Sequence, residues 1–92
     1  MEKRGFDMGQ LVITANAQYQ LMPKDIEKAL ERHKACDWGN LSQSDYDMND
    51  NEVDHGGDGQ ILSSYVSETG KKFWIITDGS REVTTVLLPE DY

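Results

Sequence analysis

Three short β-patterned runs separated by turn residues fill the last third of the chain, and they constrain the fold more than any other feature. Ile61-Leu62-Ser63-Ser64-Tyr65-Val66 reads as a strand over 61–66. Glu68-Thr69-Gly70-Lys71 follows as a turn, with Gly70 free to take a positive φ. Phe73-Trp74-Ile75-Ile76-Thr77 is almost continuously apolar, the pattern of a central strand over 73–77. Asp78-Gly79 is a hairpin turn pair. Residues 82–88 then alternate until Pro89 stops them. Short connections between successive strands predict an antiparallel meander.

A three-stranded sheet needs a cover, and the sequence supplies one helix suited to it. Pro23 fits a first helical position, and Asp25 and Glu27 complement the N-terminal dipole. Ile26, Ala29, Leu30 and His33 recur at i, i+3, i+4 and i+7, so they share one face. The spacing predicts an amphipathic helix over about 23–36, ended by Asp37-Trp38-Gly39-Asn40. A shorter helix is expected over about 43–53. Ser42 caps it, Asp45 completes an acidic capping box, and Leu41 and Tyr46 are spaced as a staple. Tyr46, Asn49 and Val53 line its inner face, and the glycines of Asp54-His55-Gly56-Gly57-Asp58-Gly59 break it. Leu11-Val12-Ile13-Thr14 has the pattern of an N-terminal strand, while residues 15–22 suit either a loop or an irregular helical turn. The expectation is one α+β domain over 1–92, in two layers, with residues 1–8 as a flexible tail.

Charge narrows the function classes. The chain has 17 acidic and 9 basic residues, a net charge of −8. Such a balance opposes direct nucleic-acid binding, because phosphate contacts come from Lys and Arg. Between Lys34 and Lys71 there is no Lys or Arg, yet Asp37, Asp45, Asp47, Asp50, Glu52, Asp54, Asp58 and Glu68 all fall there. Plain solubility accounts for such a surface, and a basic protein partner is the sharper reading. Cys36 is the only cysteine, which fits a reducing cytosol. No stretch is long and apolar enough for a membrane helix, and the N-terminus lacks the apolar centre of a signal peptide. A cytoplasmic location is expected, with no membrane partner.

An ordered set of residues resembles a known family. It comprises Arg32-His33, Asp37-Trp38-Gly39, Asp45, Asn49, Ile61 to Tyr65, Trp74-Ile75-Ile76-Thr77, Arg81 and the run from Thr84 to Tyr92. The chain resembles, from about Leu11 to Tyr92, small bacterial proteins labelled as plasmid-related or mobile-element-associated. The likeness implies a bacterial, mobile-DNA setting and carries no activity with it. It departs from the family pattern at Cys36, where Gly is favoured, and at Ala15-Asn16-Ala17, where a Gly-containing turn is favoured.

Candidate chemistry is sparse. His33, Cys36 and His55 fall one short of a structural zinc set. Asp45, Asp47 and Asn49 copy the start of a calcium loop, but Asp50 and Gly56 stand where Gly and Glu are required. No Gly-rich phosphate loop, nucleophile elbow or paired-Cys motif is present, so no metal or cofactor is expected. His33, Asp37, Ser63, Ser64, Arg81, Thr84 and Thr85 can be drawn as a polar cluster. In a metal-independent ribonuclease, His33 would serve as acid or base and Arg81 would stabilise the phosphorane. Without such chemistry, His33 is expected to hydrogen-bond the Asp37-Trp38-Gly39 turn. Trp38 either plugs the helix–sheet seam or stays exposed as a binding anchor. Three readings stand. The first is a non-enzymatic interaction module whose Trp38, Asp45, Asp47 and Asp50 meet a basic partner. The second is a ribonuclease-like toxin using His33 and Arg81. The third is a structural homodimer joined through sheet edges or Trp38.

Overall fold

Thr14 directs the start of the fold. The computed structural model describes residues 5–92. Within it Thr14 ends the strand β1 (Gln10–Ile13) and caps the helix α1 (Ala15–Gln20), its hydroxyl accepting from the Ala17 amide. The ambiguous stretch is therefore helical for six residues. Two residues later Pro23 opens α2 (Pro23–Lys34), with Ile26, Ala29 and His33 on its buried face. This helix ends at Lys34, earlier than expected. Cys36 adopts φ 65°, and the Cys36 and Asp37 amides close back on the His33 and Arg32 carbonyls. That pairing is a Schellman motif with cysteine in the position glycine usually takes.

The helix α3 (Gln43–His55) starts as its cap signal requires, with Ser42 accepting from the Asp45 amide. It runs two residues past the expected end, to Gly56 at φ 63°. The strands β2 (Ile61–Val66), β3 (Lys72–Thr77) and β4 (Val83–Leu87) then follow. They pair antiparallel in sequence order, Ser63 opposite Ile75 and Ile75 opposite Val86.

The sheet does not stop at three strands, which corrects the simple meander. Its order is β1-β4-β3-β2, and β1 lies parallel to β4, with Leu11 beside Thr84 and Ile13 beside Val86. The result is a four-stranded mixed sheet in an α+β domain. Close approach at the start of β1 depends on Gly9, at φ 61°. A Cβ built there would lie 2.2 Å from the Glu82 carbonyl oxygen. The connection between β3 and β4 also differs from the two-residue turn expected of Asp78-Gly79. Arg81 takes the left-handed position, at φ 63°, and its amide bonds the Asp78 carbonyl.

Registers put Ile61, Ser63, Tyr65, Phe73, Ile75, Thr77, Thr84 and Val86 on one face of the sheet. That face meets Ala17, Leu21, Ile26, Ala29 and His33 from α1 and α2 and the loop between them, and it forms most of the core. A second cluster of Cys36, Trp38 and Ile61 is covered by Phe6, Leu41, Tyr46 and Val53. Of the expected 1–8 tail, residues 1–4 lie outside the described residues, and Phe6 sets its ring against His33 and Trp38.

Candidate functional site

His33 projects from α2 into the sheet, where burial is complete. Its side chain does not bond the Asp37-Trp38-Gly39 turn, contrary to expectation, but reaches Ser63 and Thr77. Arg32 holds that turn instead, through its carbonyl and through a guanidinium 2.8 Å from the Asp37 carboxylate. The reason is the helical phase: i, i+3, i+7 aims His33 at the core, while Arg32 points along the surface.

The hydrogen bonds around His33 run in one direction. The Thr84 hydroxyl donates to the Met8 carbonyl at 2.6 Å. Its oxygen therefore accepts from Thr77, 2.8 Å away, and the Thr77 oxygen accepts from His33 Nε2–H at 2.9 Å. Nδ1 is left to accept from the Ser63 hydroxyl. Burial pushes the His33 pKa down to about 4, so the imidazole is neutral near pH 7. This chain joins α2, β2, β3, β4 and the segment preceding β1. Thr77 was absent from the cluster drawn from the sequence, and its inward phase beside Thr84 is the signal that identifies it.

Other members of that cluster lie elsewhere. Ser64 faces the outer edge of β2, bonding Trp38 and Asn40 through its main chain. Thr85 is on the opposite face of the sheet from Thr84. Arg81 donates to the carbonyls of Gly57, Gly59, Asp78 and Gly79 at 2.7–3.2 Å. Its guanidinium thus ties the glycine-rich loop to the β3–β4 turn. His33 and Arg81 hold separate sets of partners, and the ring of His33 offers no surface to a substrate.

Trp38 is fully buried at the seam between helices and sheet. Its indole N–H donates to Asp50 at 2.9 Å, which fixes α3 against the turn. Asp45 and Asp47 are exposed on α3, Asp47 accepting from Gln43 at 2.8 Å. Among the described residues, no three His, Cys, Asp or Glu side chains converge on a point that could hold a metal ion. No helix there is long and apolar enough to cross a membrane.

Two of the concave surfaces among the described residues carry charged side chains at the margins of β2. One, of about 510 Å³, lies between α2 and the β2–β3 hairpin and carries Lys24, Lys28 and Arg32. Its charges are largely paired: Lys24 with Glu68 at 2.7 Å, and Arg32 with Asp37 while stacked 4.7 Å over the Tyr65 ring. Lys24 holds the Glu68 carboxyl below its usual range, and Arg32 does the same for Asp37. The other, of about 350 Å³, lies between α3 and the edge of β2. Leu41, Met48 and Leu62 line it, together with Asp45 and Glu52, and among the described residues no cation borders it. Asn49 is buried at its side, donating to the Leu62 carbonyl at 2.7 Å and accepting from the Leu62 amide at 3.4 Å.

No family model matches the chain, nor does any curated protein or solved structure.

Proposed function

We propose that the chain is a non-enzymatic interaction module on bacterial mobile DNA, using the acidic surface of α3 and the loop after it to meet a basic protein partner. The observation that carries this reading is the placement of the negative charge. Asp45, Asp47, Asp54 and Asp58 are exposed in a stretch without a single Lys or Arg. Carboxylates gathered in this way steer a cationic partner during encounter. The polar residues suited to catalysis support the same reading, since His33 is sealed in the core and Arg81 is occupied by four carbonyls. The mobile-DNA setting rests on the family resemblance.

Affinity capture at about 50 mM and about 500 mM salt tests the proposal. Basic partners retained at low salt, released at high salt and lost from a D45K/D47K variant are the expected result. Acidic partners, or retention indifferent to salt, would overturn it.

A homodimer joined through a sheet edge is a second reading, favoured by one asymmetry. The β2 edge is covered at Leu62 and Ser64 by Asn49 and by the Trp38–Asn40 backbone. The β1 edge is an uncharged Gln-Leu-Val-Ile run, with Leu11 and Val12 46% and 40% exposed. Unprotected edges of this kind invite strand pairing. Sedimentation decides it: a protein that stays monomeric at high concentration excludes this reading.

A further inference from the structure

The groove between α3 and β2 specifies more than charge. Asp45, Met48, Asn49 and Glu52 recur at i, i+3, i+4 and i+7, so they form one stripe facing the groove. Asp45 and Glu52 stand about 10 Å apart along the helix axis, with Met48 between them. Met48 is 64% exposed, although Leu41 and Leu62 beside it are half-buried. An apolar floor thus lies between two carboxylates two helical turns apart. We propose that this groove docks an amphipathic cationic helix, which inserts an aliphatic side chain against Met48, Leu41 and Leu62 and sets a Lys or Arg against each of Asp45 and Glu52.

The argument for this occupant is complementarity of charge and period. A helix laid along α3 repeats every 3.6 residues, so cations at i and i+7 bracket an apolar residue at i+3 or i+4. Those spacings mirror Asp45, Met48 and Glu52. A purely electrostatic partner would need no apolar recess, and a purely apolar partner would leave both carboxylates desolvated without a counter-charge. The Glu52 carboxylate is already oriented, accepting from the Gly59 amide at 3.1 Å. A Cβ on Gly57 would lie 2.0 Å from Glu52 Oε2, and one on Gly59 would lie 2.5 Å from Oε1, so both glycines keep room for that carboxylate. The groove on α2 differs in kind, because its Lys24 and Arg32 already have anionic partners.

This inference rests on the reading of a basic partner, and its test separates the two. The probes are two synthetic helical peptides with Lys at i and i+7. One carries Leu at i+3 and i+4, and the other carries Gln there, which keeps charge and helix propensity the same. Affinity is measured by fluorescence anisotropy at low and high salt, and the site is located by amide chemical shifts. The Leu peptide is expected to bind at least about tenfold more tightly, the scale of burying one aliphatic side chain. Its shifts should centre on Leu41, Met48 and Leu62. Met48→Gln, on an exposed position that folding tolerates, should erase the difference between the peptides. Asp45→Asn should weaken both peptides and flatten the salt dependence. Equal, salt-sensitive binding of the two peptides overturns the groove and leaves the charge-based reading standing. Absence of binding by both, or binding indifferent to salt, overturns the two together.

Discussion

At the scale of single residues, His33 makes stability depend on pH in a direction that can be worked out. Its pKa is about 4 in the folded protein against 6.5 in an ordinary exposed histidine. Between those values the unfolded chain binds a proton that the folded chain refuses, so stability rises with pH. The contribution is complete above pH 6.5 and is lost as the pH falls toward 4, a change of roughly 3 kcal/mol. Urea midpoints at pH 7, 6 and 5 are expected to fall steadily, and His33→Gln should remove most of that slope. A wild-type midpoint flat over this range would show that the ring is not sealed from water. Three carboxylates with partners do not confuse the result. Asp37 and Glu68 are held below their usual range by Arg32 and Lys24, and Asp91 by the Leu88 amide and Thr14. Their contributions are lost only at lower pH. Cys36 poses a different question, because φ 65° strains every residue except glycine. Cys36→Gly trades that strain for a small buried side chain and should shift stability by less than about 1 kcal/mol. Cys36→Val, β-branched in a left-handed position, should cost about 2 kcal/mol or more. Denaturant titration of the pair checks the backbone geometry: similar losses in both would refute it.

At the scale of elements, the residues with local signals were legible and those with distant partners were not. Pro23 and Ser42 mark helix starts by their own chemistry, and the 61–66, 73–77 and 82–88 runs needed only alternation to be seen. The ends shifted where a single residue took positive φ, at Cys36 and Arg81. Nothing local reveals that Gln10–Ile13 pairs in parallel with a strand some 70 residues away, since parallel pairing is set by how the intervening helices cross the sheet. The cap at Thr14 is a local signal, but α1 is too short to show a period. The candidate groove was half legible. Asn49 fell on the inner face of its helix, yet the groove exists only because the β2 edge comes to rest beside it. That edge gives the prediction at this scale. Asn49 supplies both a donor and an acceptor to the Leu62 main chain, standing in for a missing strand. Asn49→Leu keeps the branched side-chain shape and removes both bonds, at an expected cost of about 2 kcal/mol. Hydrogen exchange of the Leu62 amide should speed up with it. Unchanged protection there would mean that the Asn49 side chain does not close the edge.

Across the whole molecule, charge is segregated by element. Lys24, Lys28 and Arg32 lie together on α2, where Lys24 pairs across to Glu68 of the β2–β3 turn and Arg32 pairs with Asp37 just past the helix end. The stretch from residue 35 to residue 70 holds eight of the 17 carboxylates and no Lys or Arg. Folding α3 brings Asp45, Asp47 and Glu52 within two helical turns of one another, so the folded state works against their repulsion. The Trp38 indole donates to the Asp50 carboxylate, whereas the Ser42 cap and the Asn49 amide bond only main-chain groups. Screening should therefore help this protein. Raising salt from about 10 mM to about 200 mM shortens the Debye length from about 30 Å to about 7 Å, below the span of the acidic surface. The urea midpoint is expected to rise over that interval, and D45N/D47N should raise it at low salt while flattening the rise. A midpoint that falls as salt is added would mean that the paired charges around α2 outweigh the α3 surface. The acidic face would then cost the fold nothing, and partner binding would have no electrostatic strain to relieve.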